Sequence, residues 1–344
     1  MIKNILVTGN LGYIGSILVP ELVKKLYVTG LDIGFFKTCS LKKDKKLKNF
    51  KQIYRDIRKI NDQDLKDIDC VVHLAALSND PLGQFNHKIT HDINYLGTVK
   101  LAKLAKKMGV KKFIYISSQS IYGISNKDEF LDEYKSKKNP VTAYAKSKWL
   151  SEKFLNKIKS KNFEVVSLRP STVFGSSPRL RTDIMLNNFL LNAHYNKKII
   201  IVSDGLPWRP ILHVRDLCNV IKNLIINNYR NINGKAFNIG LDDGNYRVID
   251  LAIKIMKKLK NISIEIINTH NEDQRTYKVS FKRIYDLCGK KIITKDVEYG
   301  VNELINYFKK LNHTKEIINK KTVRINHLKY LIKKGVINKN FEFN

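Results

Sequence analysis

Nowhere in the 344 residues does an uninterrupted apolar run approach the roughly 18–20 residues needed to cross a bilayer. No membrane-spanning helix is expected. The chain also lacks a signal-peptide layout, because Ile5-Leu6-Val7 runs straight into a glycine-rich turn. A cytoplasmic location is the resulting expectation. Cysteine is scarce and scattered: Cys39, Cys70, Cys218 and Cys288 form no C-x-x-C pair and have no histidine at ligand spacing. That excludes a disulfide framework and a recognisable zinc site, and leaves structural thiols and no metal.

Acid is also in short supply. Against 63 Lys and Arg stand 31 Asp and Glu, a formal net charge of +32. Such a balance raises nucleic acid or an acidic membrane surface as partners. Yet only twelve of the basic residues are arginine, whose fork suits phosphate and base readout. The lysines spread along the chain beside asparagine and isoleucine. The charge reads as a solvated face that attracts anionic substrates, with no nucleic-acid or membrane partner. The densest cluster, residues 42–51, reads as a surface loop.

The length allows one large domain or two packed closely together. Short apolar runs at 5–7, 27–31, 71–74, 113–116 and 165–168 alternate with helical spacing at 17–25 and 97–108. That alternation predicts a parallel sheet with helices on both faces. The second half is less regular. Residues 180–196 read as a helix after a proline-containing loop, and 199–202, 213–226 and 248–259 suggest smaller strand and helix units. Residues 1–175 are expected to form a doubly wound nucleotide-binding domain to which some later segments return. Residues 176–310 form a smaller α/β domain over its crevice. Residues 311–344 are a basic extension with one helix at 323–334.

The segment Thr8-Gly9-Asn10-Leu11-Gly12-Tyr13-Ile14-Gly15 follows the first strand and opens the first helix. Glycine serves there for a tight turn, for backbone approach to a diphosphate and for helix–strand packing. The helix N-terminus offers amides to the phosphates. Asp32 ends the next strand, where a carboxylate accepts ribose hydroxyls and repels a 2′-phosphate, favouring NAD.

Tyr144 and Lys148 stand four apart and share a helix face. An ammonium beside a phenol favours phenolate, which suits a general base. Ser118, after an apolar strand, can hydrogen-bond a reacting oxygen. Y-x-x-x-K alone is a common surface pattern; its company gives it weight.

Together, G-x-x-G-x-x-G, Asp32, Asp56-Ile57, His73-Leu74-Ala75-Ala76, Asn94, Ser118 and Tyr144 with Lys148 resemble the extended short-chain dehydrogenase/reductases. Within these the chain is similar to the NAD-dependent nucleotide-sugar epimerase/dehydratase group, over residues 1 to about 310. The resemblance implies a Rossmann-type fold, a homodimer and a nucleotide-sugar substrate. It implies that Asp56 and Ile57 flank the adenine, and that Leu74, Ala75, Ala76, Ser117, Pro170 and Val173 line the cofactor's path. It further implies that Asn94 supports the site and that Ser118, Gln119, Ser120 and Thr172 face the sugar. Arg179, Asn188, Arg209 and Arg275 are implied for the substrate diphosphate, with Arg181 nearby. His213 and Asp216 are read as structural.

One departure narrows the reaction. Dehydratases of this family carry Asp-Glu after the catalytic Ser/Thr, for acid–base work on water loss. Here those positions are Gln119 and Ser120, which supply no carboxylate. Dehydration is disfavoured. A 4-epimerase acting through a 4-keto sugar, a 4-dehydrogenase and a 4-ketoreductase remain, as does a non-catalytic NAD- or nucleic-acid-binding protein that kept the fold.

Overall fold

A computed structural model describes residues 2–42, 46–125, 129–267, 276–311 and 313–344. Strands β1 (Asn4–Thr8), β2 (Tyr27–Asp32), β3 (Phe50–Tyr54), β4 (Cys70–His73) and β5 (Lys112–Ile116) build the first half of the main sheet. Between them lie helices α1 (Gly15–Leu22), α2 (Asp80–Phe85) and α3 (Gly97–Lys107). Helix α4 (Ala143–Ile158), strand β6 (Glu164–Pro170), helix α5 (Met185–Asn196) and strand β7 (Lys235–Ile239) follow. The sheet order is β7-β6-β5-β4-β1-β2-β3, and every pairing is parallel. This is a Rossmann-type sheet.

The apolar runs form strands because both faces are covered. Every residue of β4 and β5 is buried. Side chains alternate across the sheet, so Ile5 and Val7 enter one core while Leu6 enters the other. The first core continues through α1, α5 and helix Val214–Ile226 into the smaller domain. That domain contains a three-stranded sheet with Trp208–His213 at its centre. Strand β7 returns to the main sheet beside β6, extending the first domain past residue 175.

Strand order reverses between β1 and β4, and this opens a crevice at their carboxyl ends. Gly9 turns the chain there with φ +72°, and a Cβ on it would lie 2.6 Å from the Ala75 nitrogen. Only glycine brings the two loops this close.

Two features differ from the sequence expectation. The helix expected over 180–196 begins at Met185, because Arg179, Arg181 and Thr182 sit in a buried loop held by side-chain bonds. The extension has two helices, α6 (Lys315–Thr322) and α7 (Arg324–Lys333), where one was expected. Its polar surface hides a sparse set of apolar anchors. Ile318 joins the first core, while Leu328, Ile337 and Phe341 join the second, on the nucleotide-binding domain. Of residues 42–51, 43–45 lie outside the described residues; Phe50 and Lys51 already belong to β3.

Candidate active site

A cleft of about 1050 Å³ opens at the strand reversal. Its floor carries Gly9, Gly12, Tyr13, Ile14 and Gly15. A Cβ on Gly12 would meet only the Gly9 oxygen, at 3.1 Å, so any larger residue there would fill the cradle. A Cβ on Gly15 would strike the Asn10 backbone at 2.5 Å, which explains how α1 starts so near the turn. Asn10 and Leu11 lie behind this floor, not on the cleft surface. Asn10 donates to Gln52 at 2.7 Å, and the Leu11 amide donates to Asp32 at 3.1 Å.

Asp32 lines the cleft and also accepts the Gly34 amide at 2.8 Å. Burial pushes its carboxyl up; the Gly34 and Leu11 amides and the charges of Arg179 and Arg324 pull the other way. Asp56, Ile57, Leu74, Ala75 and Ala76 line the same side. His73 lies beneath, bonded to Thr8 at 2.6 Å and Thr98 at 2.8 Å. Burial and the Lys148 charge hold it down at about 3, so it stays neutral.

Across the cleft, Thr142 caps α4 by accepting the Ala145 amide at 3.1 Å. The cap sets Tyr144 and Lys148 on the turn that faces the cavity. The Lys148 ammonium donates to the Ile116 carbonyl at 2.7 Å and lies 5.8 Å from the Tyr144 ring centre. The lysine is 3% exposed. Burial lowers its pKa to about 7, with Glu152 opposing. Ser118 caps the turn after β5, accepting from the Ser120 amide at 3.1 Å and its hydroxyl at 2.9 Å. Gln119 donates to the Arg169 carbonyl at 3.0 Å. Ser117, Ser118, Gln119, Ser120, Pro170, Thr172, Val173 and Arg209 all line the cleft.

Asn94 is buried below the site. It accepts the Leu77 amide at 2.8 Å and donates to Ser147 at 3.2 Å, tying the Ala75–Leu77 wall to α4. Gly83 lets α2 approach; a Cβ there would lie 2.9 Å from the Tyr144 Cβ. Arg179 and Asn188 are not on the cleft surface. Arg179 donates to the Phe36 and Lys37 carbonyls, and Asn188 to the Thr182 carbonyl. Arg275 lies outside the described residues. His213 contacts Glu303 at 3.0 Å, and Asp216 accepts the Thr294 and Lys295 amides, both away from the cleft.

Arg181, expected near the substrate diphosphate, does line the cleft; sequence reasoning missed Asp80, Asp183 and Arg324. Arg181 pairs with Asp183 at 2.9 Å and donates to Ser78 at 2.8 Å. Asp80 accepts from Thr142 at 2.5 Å. The cleft's described carboxylates are thus Asp32, Asp56, Asp80 and Asp183, each engaged by amides, a hydroxyl or a guanidinium. Arg324 reaches the lining from the extension. No local pattern announced it, since its role depends on where α7 docks.

A parallel sheet, a glycine turn at its reversal point and a Tyr–Lys pair facing it define a nicotinamide-dependent enzyme of the short-chain dehydrogenase type. Residues 5–240 match the NAD dependent epimerase/dehydratase family, and the chain belongs to that family. Its cofactor is NAD. Over 330 residues the chain is 27% identical to a dTDP-D-glucose 4,6-dehydratase of Mus musculus, covering 90% of each chain. It is 27% identical to a putative UDP-glucose 4-epimerase of Methanocaldococcus jannaschii, covering 90% of this chain and 100% of that one. The UDP-glucuronic acid 4-epimerase of Bacillus cereus, solved with NAD, superposes with a TM-score of 0.76 at 24% identity, over 90% and 97% of the two chains. Among the described residues, no helix is long and apolar enough to cross a membrane.

Proposed function

We propose that this chain is a nucleotide-sugar 4-epimerase working through a 4-keto intermediate. The observation that carries the reading is the composition of the reacting end of the cleft. Ser118, Tyr144 and Lys148 face it together, while positions 119 and 120 hold an amide and a hydroxyl. Loss of water from C5–C6 needs a carboxylic acid and a base beside Ser118, and positions 119 and 120 supply neither, while Asp80 accepts from Thr142 and Asp183 pairs with Arg181.

Bound NAD supplies the acceptor and later the donor of the hydride exchanged with sugar C4. The chain's residues handle the proton. Tyr144, as phenolate, takes the C4 hydroxyl proton and later returns it. The Lys148 ammonium stabilises that phenolate and, with the Ile116 carbonyl bond, keeps a fixed place below it. Ser118 orients the reacting oxygen. Arg209 on the lining is suited to the substrate diphosphate, because a guanidinium fork matches phosphate oxygens.

Incubation with UDP-, GDP-, CDP- and dTDP-sugars deuterated at C4 tests this. Inversion at C4 with the label retained and no net reduced nicotinamide is expected. Accumulating reduced nicotinamide without inversion would instead assign a 4-dehydrogenase, which uses the same three residues. A 4-keto-6-deoxy product would overturn the reading. Duplex binding at physiological salt would overturn the assignment of the lysines to a solvated face.

A further inference from the structure

Arg324 has no carboxylate in ion-pair contact among the described residues, although it is 2% exposed. Its guanidinium donates to backbone carbonyls: Lys321 at 3.0 Å, Arg179 at 2.9 Å and Leu180 at 3.4 Å. It lies 4.7 Å from the Phe36 ring centre and forms part of the cofactor cleft. Burial and the charges of Arg181 and Arg179 push its pKa down to about 10, against the opposing pull of Cys39 and Asp183. Neutral carbonyls satisfy its protons, and the nearest carboxylates, Asp32 and Asp183, are shared with Arg179 and Arg181, so three cations face two carboxylates. A buried cation in that state gains from an anion brought to it.

The segment carrying Arg324 is fastened to the frame of the same cleft. Arg58 grips Asp56 with its fork and donates to the Asn340 and Phe341 carbonyls, each at 2.9 Å. Phe341 is fully buried, stacked on Phe85 at 5.8 Å and edge-on to Phe35 at 6.3 Å. His327 donates to the Phe35 carbonyl at 3.0 Å. Asp56 and Phe35 themselves line the cleft.

We propose that residues 314–344 form a built-in clamp on the cofactor, in which Arg324 presents its guanidinium to the dinucleotide diphosphate and the docked segment slows release. An enzyme that takes a hydride and returns it gains from keeping its cofactor between turnovers. Retention is read without any sugar, so it stands or falls apart from the question of inversion.

The test follows release of bound NADH by nicotinamide fluorescence and affinity for two probes, ADP and adenosine. Arg324→Gln should release NADH about tenfold faster or more, and weaken ADP by about tenfold while leaving adenosine nearly unchanged. Arg324→Lys should fall between. Phe341→Ala, which leaves the cleft lining intact, should speed release in the same direction. Wild-type release in both Arg324→Gln and Phe341→Ala would overturn the clamp. So would equal loss of ADP and adenosine, the mark of a merely structural arginine. Hydrogen exchange on the wild-type protein decides the matter if the variants do not fold. NAD should slow exchange over residues 322–341, and unchanged exchange would overturn the proposal.

Discussion

The two ends of the cleft handle charge in opposite ways. At the reacting end, Lys148 is a buried cation held by one carbonyl and two aromatic rings, and burial takes it down to about 7. At the adenosine end, cations and carboxylates are interleaved: Arg58 with Asp56, Arg181 with Asp183, and Arg179 and Arg324 around Asp32. The first arrangement leaves a proton poised to move. The second leaves charges held in pairs. The proposed roles thus separate chemistry from grip along one cavity.

Changes at the reacting end should therefore cut turnover and spare binding. The largest effect is expected for Tyr144→Phe. Loss of the phenol should lower kcat by about 10²–10⁴-fold, with NAD affinity nearly unchanged by titration calorimetry. Unaltered turnover would erase the proposed division of labour. At the other end the pattern should invert. Asp32→Asn should weaken NAD by about tenfold and narrow discrimination against NADP, since it removes the charge that repels a 2′-phosphate. Its kcat at saturating cofactor should change little.

A third substitution sharpens the comparison because it touches neither cofactor nor substrate. Gly83→Ala places a Cβ 2.9 Å from that of Tyr144. Helix α2 or the start of α4 must shift to accept it. A fall in kcat of roughly tenfold with NAD binding retained is expected, because small displacements of a positioned base are costly.

Much of this layout was legible in the chain. Glycines at 9, 12 and 15 after an apolar run leave few backbone options, and Tyr144 with Lys148 needs only helical spacing to converge. The fold class followed from short, mainly apolar runs, since β4 and β5 are buried on both faces. Long-range placement was not legible. Arg179 looked like a phosphate ligand, yet the loop turns it onto the carbonyls of residues 36 and 37. Asn188 shares a helix with the substrate domain's buried face but points its amide at Thr182. Arg324 stands in a lysine-rich stretch that reads as solvent-exposed. Three buried apolar anchors, spread over fourteen residues, turn that stretch inward, and no local period records them.

The smallest expected effect concerns stability, and its sign follows from the Lys148 environment. The folded site holds this lysine at about 7, against an ordinary value of 10.5. Below pH 7 both folded and unfolded chains carry the proton, and the folded state bears the full cost of a buried charge. Between pH 7 and 10.5 the folded site releases the proton while the unfolded chain keeps it, so this contribution to stability rises with pH. Above 10.5 the cost is gone. Lys148→Met removes it at every pH. The cofactor-free variant should therefore melt a few degrees higher than wild type at pH 7. That gain should shrink steadily toward pH 10, while turnover is lost throughout. A variant that melts lower at pH 7 would place Lys148 among the residues that hold the fold, and would dissolve the contrast between a poised end and a gripping end.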